Sequence, residues 1–279
     1  MRLLISTALA ASLAITLPAC KQQPAGDANN AAATAEAGDV SALNGTWKVD
    51  LASLKFGGKP DNFSVKDGTY SCTTCIPALN VPADGQFHPV TGSPYYDSIA
   101  IKVVDDRTIE IRRRKGEKEV TVITQQVSAD GKTLTGTFKD MTTPGQTIEG
   151  KGTGTRVGEP VAGAHAISGQ WQDDKIGEYS EGALDFVYKV DGDTVTSTSQ
   201  GQTYVAKLGG PAVAIQNDPG GTMVRIERDG SGIKETYTRD GKEVGLATVK
   251  PAADGQSITY SSTDPRDGST VSFTANKKS

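Results

Sequence analysis

Trp47 and Trp171 are the only two tryptophans in the chain, and both sit in the same local pattern, Gly45-Thr46-Trp47 and Gly169-Gln170-Trp171. The two patterns are 124 residues apart. At the same shift Asp67-Gly68 meets Asp191-Gly192, Asp105 meets Asp229 and Ile109 meets Ile233. Lys118-Glu119-Val120 meets Lys242-Glu243-Val244, Ala129-Asp130-Gly131 meets Ala253-Asp254-Gly255, and Asp140 meets Asp264. One shift held over that length marks an internal duplication, which constrains the fold more than any local motif. The phase changes once. Gly85-Gln86 pairs with Gly201-Gln202 at a shift of 116, which reads as about eight extra residues in the first copy, within SCTTCIPALNVPAD.

Within each copy, short runs such as SIAIKVVDD, RTIEIRRR, EVTVITQQV and TLTGTF alternate apolar and polar side chains. That is the pattern of half-buried antiparallel strands. Asp-Gly, a tight-turn dipeptide because glycine accepts the positive φ of hairpin turns, occurs eight times. No stretch of the mature region holds a helical period over three turns. The expected fold class is all-β, with two tandem antiparallel up-and-down barrels of about eight to ten strands each. The expected boundaries are 43–157 for the first barrel, 158–166 for a short linker and 167–279 for the second. Alternation places Ile99, Ile101, Val103, Ile109, Ile111, Val120, Val122 and Leu134 inward.

The N-terminus is a separate matter. Residues 1–19 carry one charge, Arg2, and an apolar run from Leu3 to Ile15. This is a signal peptide, because a membrane span needs about 20 apolar residues. Leu17-Pro18-Ala19-Cys20 resembles a bacterial lipobox, which implies lipidation of Cys20 and a membrane anchor, and Lys21 after it implies sorting to the outer membrane. Residues 20–42 read as the lipidated cysteine and a disordered tether, polar and without periodicity.

Charge excludes a large class of partners. The net charge is −4, and removing the signal peptide leaves 28 basic against 33 acidic residues, or −5. No basic face is present for a nucleic acid backbone. The run RRRKGEK at 112–118 is the one basic cluster and reads as a solvated hairpin end.

Few residues offer chemistry. Cys72-Thr73-Thr74-Cys75 belongs to the first copy alone. Residues three apart on an extended strand lie about 10 Å from each other, so a disulfide between them demands a turn at Thr73-Thr74. A secreted setting favours that disulfide. Redox and metal-binding roles are the alternatives, although no helix follows Cys75 to lower a thiol pKa, and His88 is the only nearby histidine. His88 and His165 are the only histidines in the chain. No catalytic triad, metal-ligand spacing or cofactor motif stands out. GKGTGTR at 150–156 opens no helix, Asp105-Asp106 and Asp173-Asp174 read as turn residues, and Tyr95-Tyr96 reads as packing.

Gly-x-Trp at the start of a first strand, followed by an antiparallel meander, resembles the lipocalin-like superfamily. HPVTGSPYYDSIAIKVVDDRTIEI, VSADGKTLT and DGKEVGLATVKPAADGQSIT resemble in particular a group of bacterial secreted lipocalin-like proteins. The resemblance covers most of residues 43–279. It implies that Gly45, Trp47, Gly169 and Trp171 plug the barrel ends, and a small apolar or amphipathic ligand as the expected partner. Protein docking by filled barrels is the alternative, and thiol chemistry at Cys72 and Cys75 a third. The sequence names no ligand-binding residues.

Overall fold

The computed structural model describes residues 39–278. The signal peptide, Cys20 and the tether up to residue 38 lie outside the described residues. A single 3-10 turn, Val40–Leu43, leads into β1 (Gly45–Val49), a second 3-10 turn, Leu51–Ser53, and β2 (Lys55–Gly57). Then follow β3 (Asp61–Lys66), β4 (Thr69–Cys72), β5 (Leu79–Pro82), β6 (His88–Pro89) and β7 (Ser98–Val103). The long strands β8 (Thr108–Lys115), β9 (Lys118–Val127), β10 (Thr133–Asp140) and β11 (Ile148–Val157) come next, then β12 (Gly169–Tyr179). The second half contains β13 (Asp185–Asp191), β14 (Thr194–Ser199), β15 (Gln202–Lys207), β16 (Val213–Ala214) and β17 (Met223–Asp229). It ends with β18 (Gly232–Arg239), β19 (Lys242–Pro251), β20 (Ser257–Thr263) and β21 (Thr270–Lys277).

These strands form two nearly closed antiparallel barrels, as the doubled alternation predicts. Their order is β5-β4-β3-β12-β11-β10-β9-β8-β7-β6 in barrel one and β15-β14-β13-β1-β21-β20-β19-β18-β17-β16 in barrel two, with β2 added beside β21. Every glycine of the eight Asp-Gly pairs has positive φ, between 59° and 79°, as tight turns require. Backbone bonds draw each barrel shut across its open edge, and in barrel two Thr203 and Gln216 exchange a pair of them. Gly85 N donates to Ile101 O and Gly209 N to Ile226 O, both at 2.8 Å.

The sheets cut across the repeats. β1, the first strand of copy one, lies between β13 and β21 of copy two. β12, the first strand of copy two, lies between β3 and β11 of copy one. Each barrel is therefore closed by the Gly-x-Trp strand of the other copy. Residues 158–166, expected to link two domains, connect β11 to β12 within barrel one, and His165 N donates to Val65 O at 2.9 Å. The start of the fold also moves. Val40 and Leu43 are buried in barrel two, although residues 40–42 read as tether.

The apparent eight-residue insertion is absent. Cys72 pairs with Leu79, and Ser197 pairs with Tyr204, seven positions apart in both copies (79 − 72 and 204 − 197). The counterpart of Gly85 is Gly209, at the constant shift of 124, and not Gly201. What differs is the tip of the hairpin. In copy two it continues as a ladder to Ser199 and Gln202, whereas in copy one the Cys72–Cys75 turn replaces it.

Six of the eight expected inward residues are buried: Ile99, Ile101, Ile109, Ile111, Val120 and Leu134. Val103 is 40% exposed, because it ends β7 where the strand leaves the barrel. Val122 faces the outer surface for a different reason. Arg113 pairs with Thr121 and Arg114 with Glu119, so Val120 is bulged out of the ladder. Beyond a bulge the period-two alternation changes face, and Thr121, Ile123 and Gln125 point inward instead. Copy two repeats the device at Val244, which is skipped between Glu243 and Gly245.

The exchange of first strands is directly testable. Thr46 pairs with Val187 and Gln170 with Asn62. A Thr46→Cys/Val187→Cys variant oxidised under native conditions is expected to crosslink, as read by peptide mass. Thr46→Cys/Asn62→Cys, the pair an unexchanged barrel would bring together, is expected not to crosslink.

Candidate functional site

Each tryptophan is buried in the barrel of the other copy, Trp47 in the core of barrel two and Trp171 in that of barrel one. Trp47 and Trp171 are 0% and 1% exposed. A buried indole N–H needs an acceptor, and each finds one four residues back. Trp47 Nε1 donates to Leu43 O at 2.9 Å and Trp171 Nε1 to Ile167 O at 2.8 Å. A cation covers each ring, with Arg156 Cζ 4.0 Å from the Trp171 centroid and Lys277 Nζ 5.2 Å from that of Trp47. This explains the glycine of the motif. Gly169 has φ of 137°, and a Cβ there would sit 2.6 Å from Arg156 Nη1; Gly45 has φ of 149°, and a Cβ there would sit 2.8 Å from Lys277 Cε. Arg156 also donates to Gly131 O, Ser168 O and Ala166 O at 2.6–2.7 Å, tying the β11–β12 loop over the indole.

The two barrel interiors join in one cavity of about 560 Å³. The barrel-one part is lined by Phe63, Tyr70, Ile111, Ile123 and Trp171; the barrel-two part by Phe186, Tyr188, Glu235, Tyr237, Tyr260 and Phe273. Tyr95 and Tyr96, expected to pack, are buried where the barrels meet. Arg239 Nη2, in barrel two, donates to Tyr95 Oη in copy one at 2.6 Å and to Thr222 Oγ1 at 2.6 Å. Gln202 Nε2 donates to Thr143 Oγ1 at 3.3 Å across the same junction.

The basic run does not stay at the surface throughout. Arg112 pairs with Glu119, with Nε 2.6 Å from Oε2, and Arg114 lies 3.7 Å above the Phe87 ring. Arg113 instead enters the cavity and lies 4.9 Å from the Tyr96 centroid. Arg113 Nε and Gln125 Oε1 are both buried beside the cavity without a hydrogen-bond partner among the described residues.

Cys72 and Cys75 form a disulfide with a Cα–Cα distance of 5.4 Å, so the chain turns at Thr73-Thr74. Asn62 N donates to Thr74 Oγ1 at 2.9 Å, and Thr73 N to Asn62 O at 3.1 Å, holding this turn against β3. Cys72 is buried and the pair borders the cavity. His88 lies 2.9 Å from Asp84 at an exposed turn, and His165 Nε2 is 2.6 Å from Asp105 O, so the two histidines share no site. Asp173-Asp174, read as a turn, lies within β12. Among the described residues, no three His, Cys, Asp or Glu side chains converge on a metal position.

Sequence reasoning missed the most unusual group in the cavity. Glu235 is 1% exposed. Tyr188 and Tyr204 donate to its Oε1 at 3.0 and 2.5 Å, and Tyr237 donates to its Oε2 at 2.6 Å. Burial first, and the Glu235 charge second, push all three phenols well above the usual tyrosine range. They remain neutral donors at any physiological pH. The signal was available in Ile233-Lys234-Glu235-Thr236-Tyr237, where an acid holds a position that the alternation assigns to the interior.

Comparison with known proteins gives no match to a family model, to a curated protein or to a solved structure. What the geometry defines is a class of architecture: a duplicated all-β protein whose two barrels share strands and a lumen.

The buried phenols set an alkaline limit. Burial raises Tyr95 to about 12, and Tyr70, Tyr179 and Tyr260 are also raised, chiefly by burial. A phenol whose folded pKa lies above its unfolded value stabilises the fold below about pH 10, and that contribution is lost as pH rises through the folded value. The 295 nm absorbance is therefore expected to rise in one steep step above pH 10, coincident with loss of the far-ultraviolet strand signal. A gradual rise with the strand signal intact would contradict the burial.

Proposed function

We propose that this chain is a lipoprotein of the bacterial envelope whose joined barrels hold a small apolar or amphipathic ligand. The supporting observation is the shared cavity. An eight- to ten-stranded barrel is either filled by its own side chains or holds one small ligand. Here both interiors open onto one space of about 560 Å³, within the range of small-molecule sites. Its walls mix aliphatic and aromatic side chains with polar and charged ones, among them Arg113, Gln125, Asp140 and Glu235, as an amphipathic guest would need. Filled barrels that only dock another protein would need no such lumen.

The reading assigns no catalysis. The Cys72–Cys75 disulfide staples a hairpin tip, and its sulfurs lack the helix N-terminus that activates a thiol. The envelope setting rests on the signal peptide and lipobox-like sequence before Cys20. A lipid on Cys20 would tether the protein through residues that lead into the 3-10 turn under barrel two, on the periplasmic face of the outer membrane.

Two measurements test this. Native mass spectrometry of residues 39–278 purified from a bacterial periplasm is expected to show a bound adduct of lipid or metabolite mass, released on unfolding. A clean unliganded mass across preparations would turn the reading toward filled barrels and protein partners. Metabolic labelling of the full chain with palmitate is expected to mark the protein, and Cys20→Ser to abolish the label. Unchanged labelling, or none in the parent chain, would remove the anchor.

A further inference from the structure

The two copies differ most where their cavity walls differ. Strand register fixes the equivalent positions. Gly169 stands opposite Phe63, as Gly45 stands opposite Tyr188. By the same comparison Leu79 corresponds to Tyr204, Ile111 to Glu235 and Arg113 to Tyr237. Gly136 corresponds to Tyr260, and Gly152 to Phe273. Barrel one thus shows that this scaffold closes with an isoleucine where barrel two has a carboxylate. The fold does not require Glu235.

A buried carboxylate is costly unless its charge is answered. Glu235 receives three phenolic hydrogen bonds, and all three donors are neutral. A carboxylate offers about four lone-pair sites; Oε1 takes two donors and Oε2 takes one, which leaves a site on Oε2. Aromatic faces surround the same space. The Tyr260 and Phe273 rings stack at 4.8 Å, Phe186 meets Phe273 edge-on at 6.3 Å, and Phe186 meets Tyr188 at 5.9 Å. All four rings border the cavity. Ring faces beside a buried carboxylate are the chemistry that holds an ammonium group, through the ring quadrupoles and the opposite charge together. Barrel one carries the opposite charge, with Arg113 bordering the lumen beside Tyr96.

We infer that the barrel-two end of the cavity binds the cationic head group, an amine or quaternary ammonium, of an amphiphile whose apolar part lies toward barrel one. Glu235 is the counter-charge, Tyr188, Tyr204 and Tyr237 hold it in place, and Phe186, Tyr260 and Phe273 form the walls. This rests on the ligand-binding reading above and names its ligand class.

Three amphiphiles with one dodecyl chain, dodecyltrimethylammonium, dodecyl maltoside and dodecyl sulfate, separate the terms when titrated calorimetrically below micelle formation. The protein is the soluble mature chain with Cys20→Ser. Dodecyltrimethylammonium is expected to bind tightest. Glu235→Gln, which keeps the shape and removes the charge, is expected to weaken it by about tenfold or more while leaving the maltoside unchanged. Tyr237→Phe, which frees one carboxylate lone pair, is expected to retain the cation preference. Equal binding of the cation by Glu235→Gln, or tighter binding of the sulfate by the parent protein, would overturn the inference and leave the cavity reading standing. Loss of all binding in Glu235→Gln would mean that the glutamate serves only the fold. No binding of any of the three to the parent protein would overturn the cavity reading itself.

Discussion

The architecture depends on two indoles held in place by backbone carbonyls and covered by cations. Trp47 and Trp171 each bury a whole ring, give the N–H to the carbonyl four residues back, and lie under Lys277 or Arg156. Gly45 and Gly169, lacking a Cβ, leave room for those cations. Because each ring serves the opposite copy, the same contact that closes a barrel also joins the two barrels. Closure and assembly are one interaction.

Much of this was legible in the sequence. Alternation and Asp-Gly turns gave the fold class, and the constant phase gave the duplication. The exchange of strands was not legible, for a physical reason. β1 and β12 carry the same motif at the same phase, so either satisfies either barrel, and only the geometry of the connections selects one. The Val120 bulge was hidden because it leaves an apolar residue at an apolar position while reversing every residue after it, so Val122 went outside and Thr121 inside. The supposed insertion arose because a hairpin tip was replaced by a disulfide turn of equal length, which breaks sequence matching without changing register. Glu235 was readable in principle, since it stands where Ile111 stands in the other copy.

Duplication has given the two interiors different polar groups, an arginine in one and a carboxylate ringed by tyrosines in the other. The substitutions are concerted. An acid appears at one position, and tyrosines appear at the three positions that reach it. A lone glutamate there would be a buried charge without donors, and lone tyrosines would carry unsatisfied hydroxyls. The set is stable together and costly in parts.

The path of the chain has a consequence for how the molecule is made. Barrel one is built from an unbroken stretch, β3 to β12, whereas barrel two draws on β1 and β2 near one end of the chain and β13 to β21 at the other. As the chain is synthesised, barrel one has all its strands once residue 179 has been added. Barrel two has to wait, because β1 pairs with β21, and Lys278 N finally donates to Thr46 O at 2.8 Å. Pairing between strands so far apart in sequence forms late and slowly. The last strand made is thus the one that seals the first, and until then the edge of the Trp47 strand remains open to pairing with other chains.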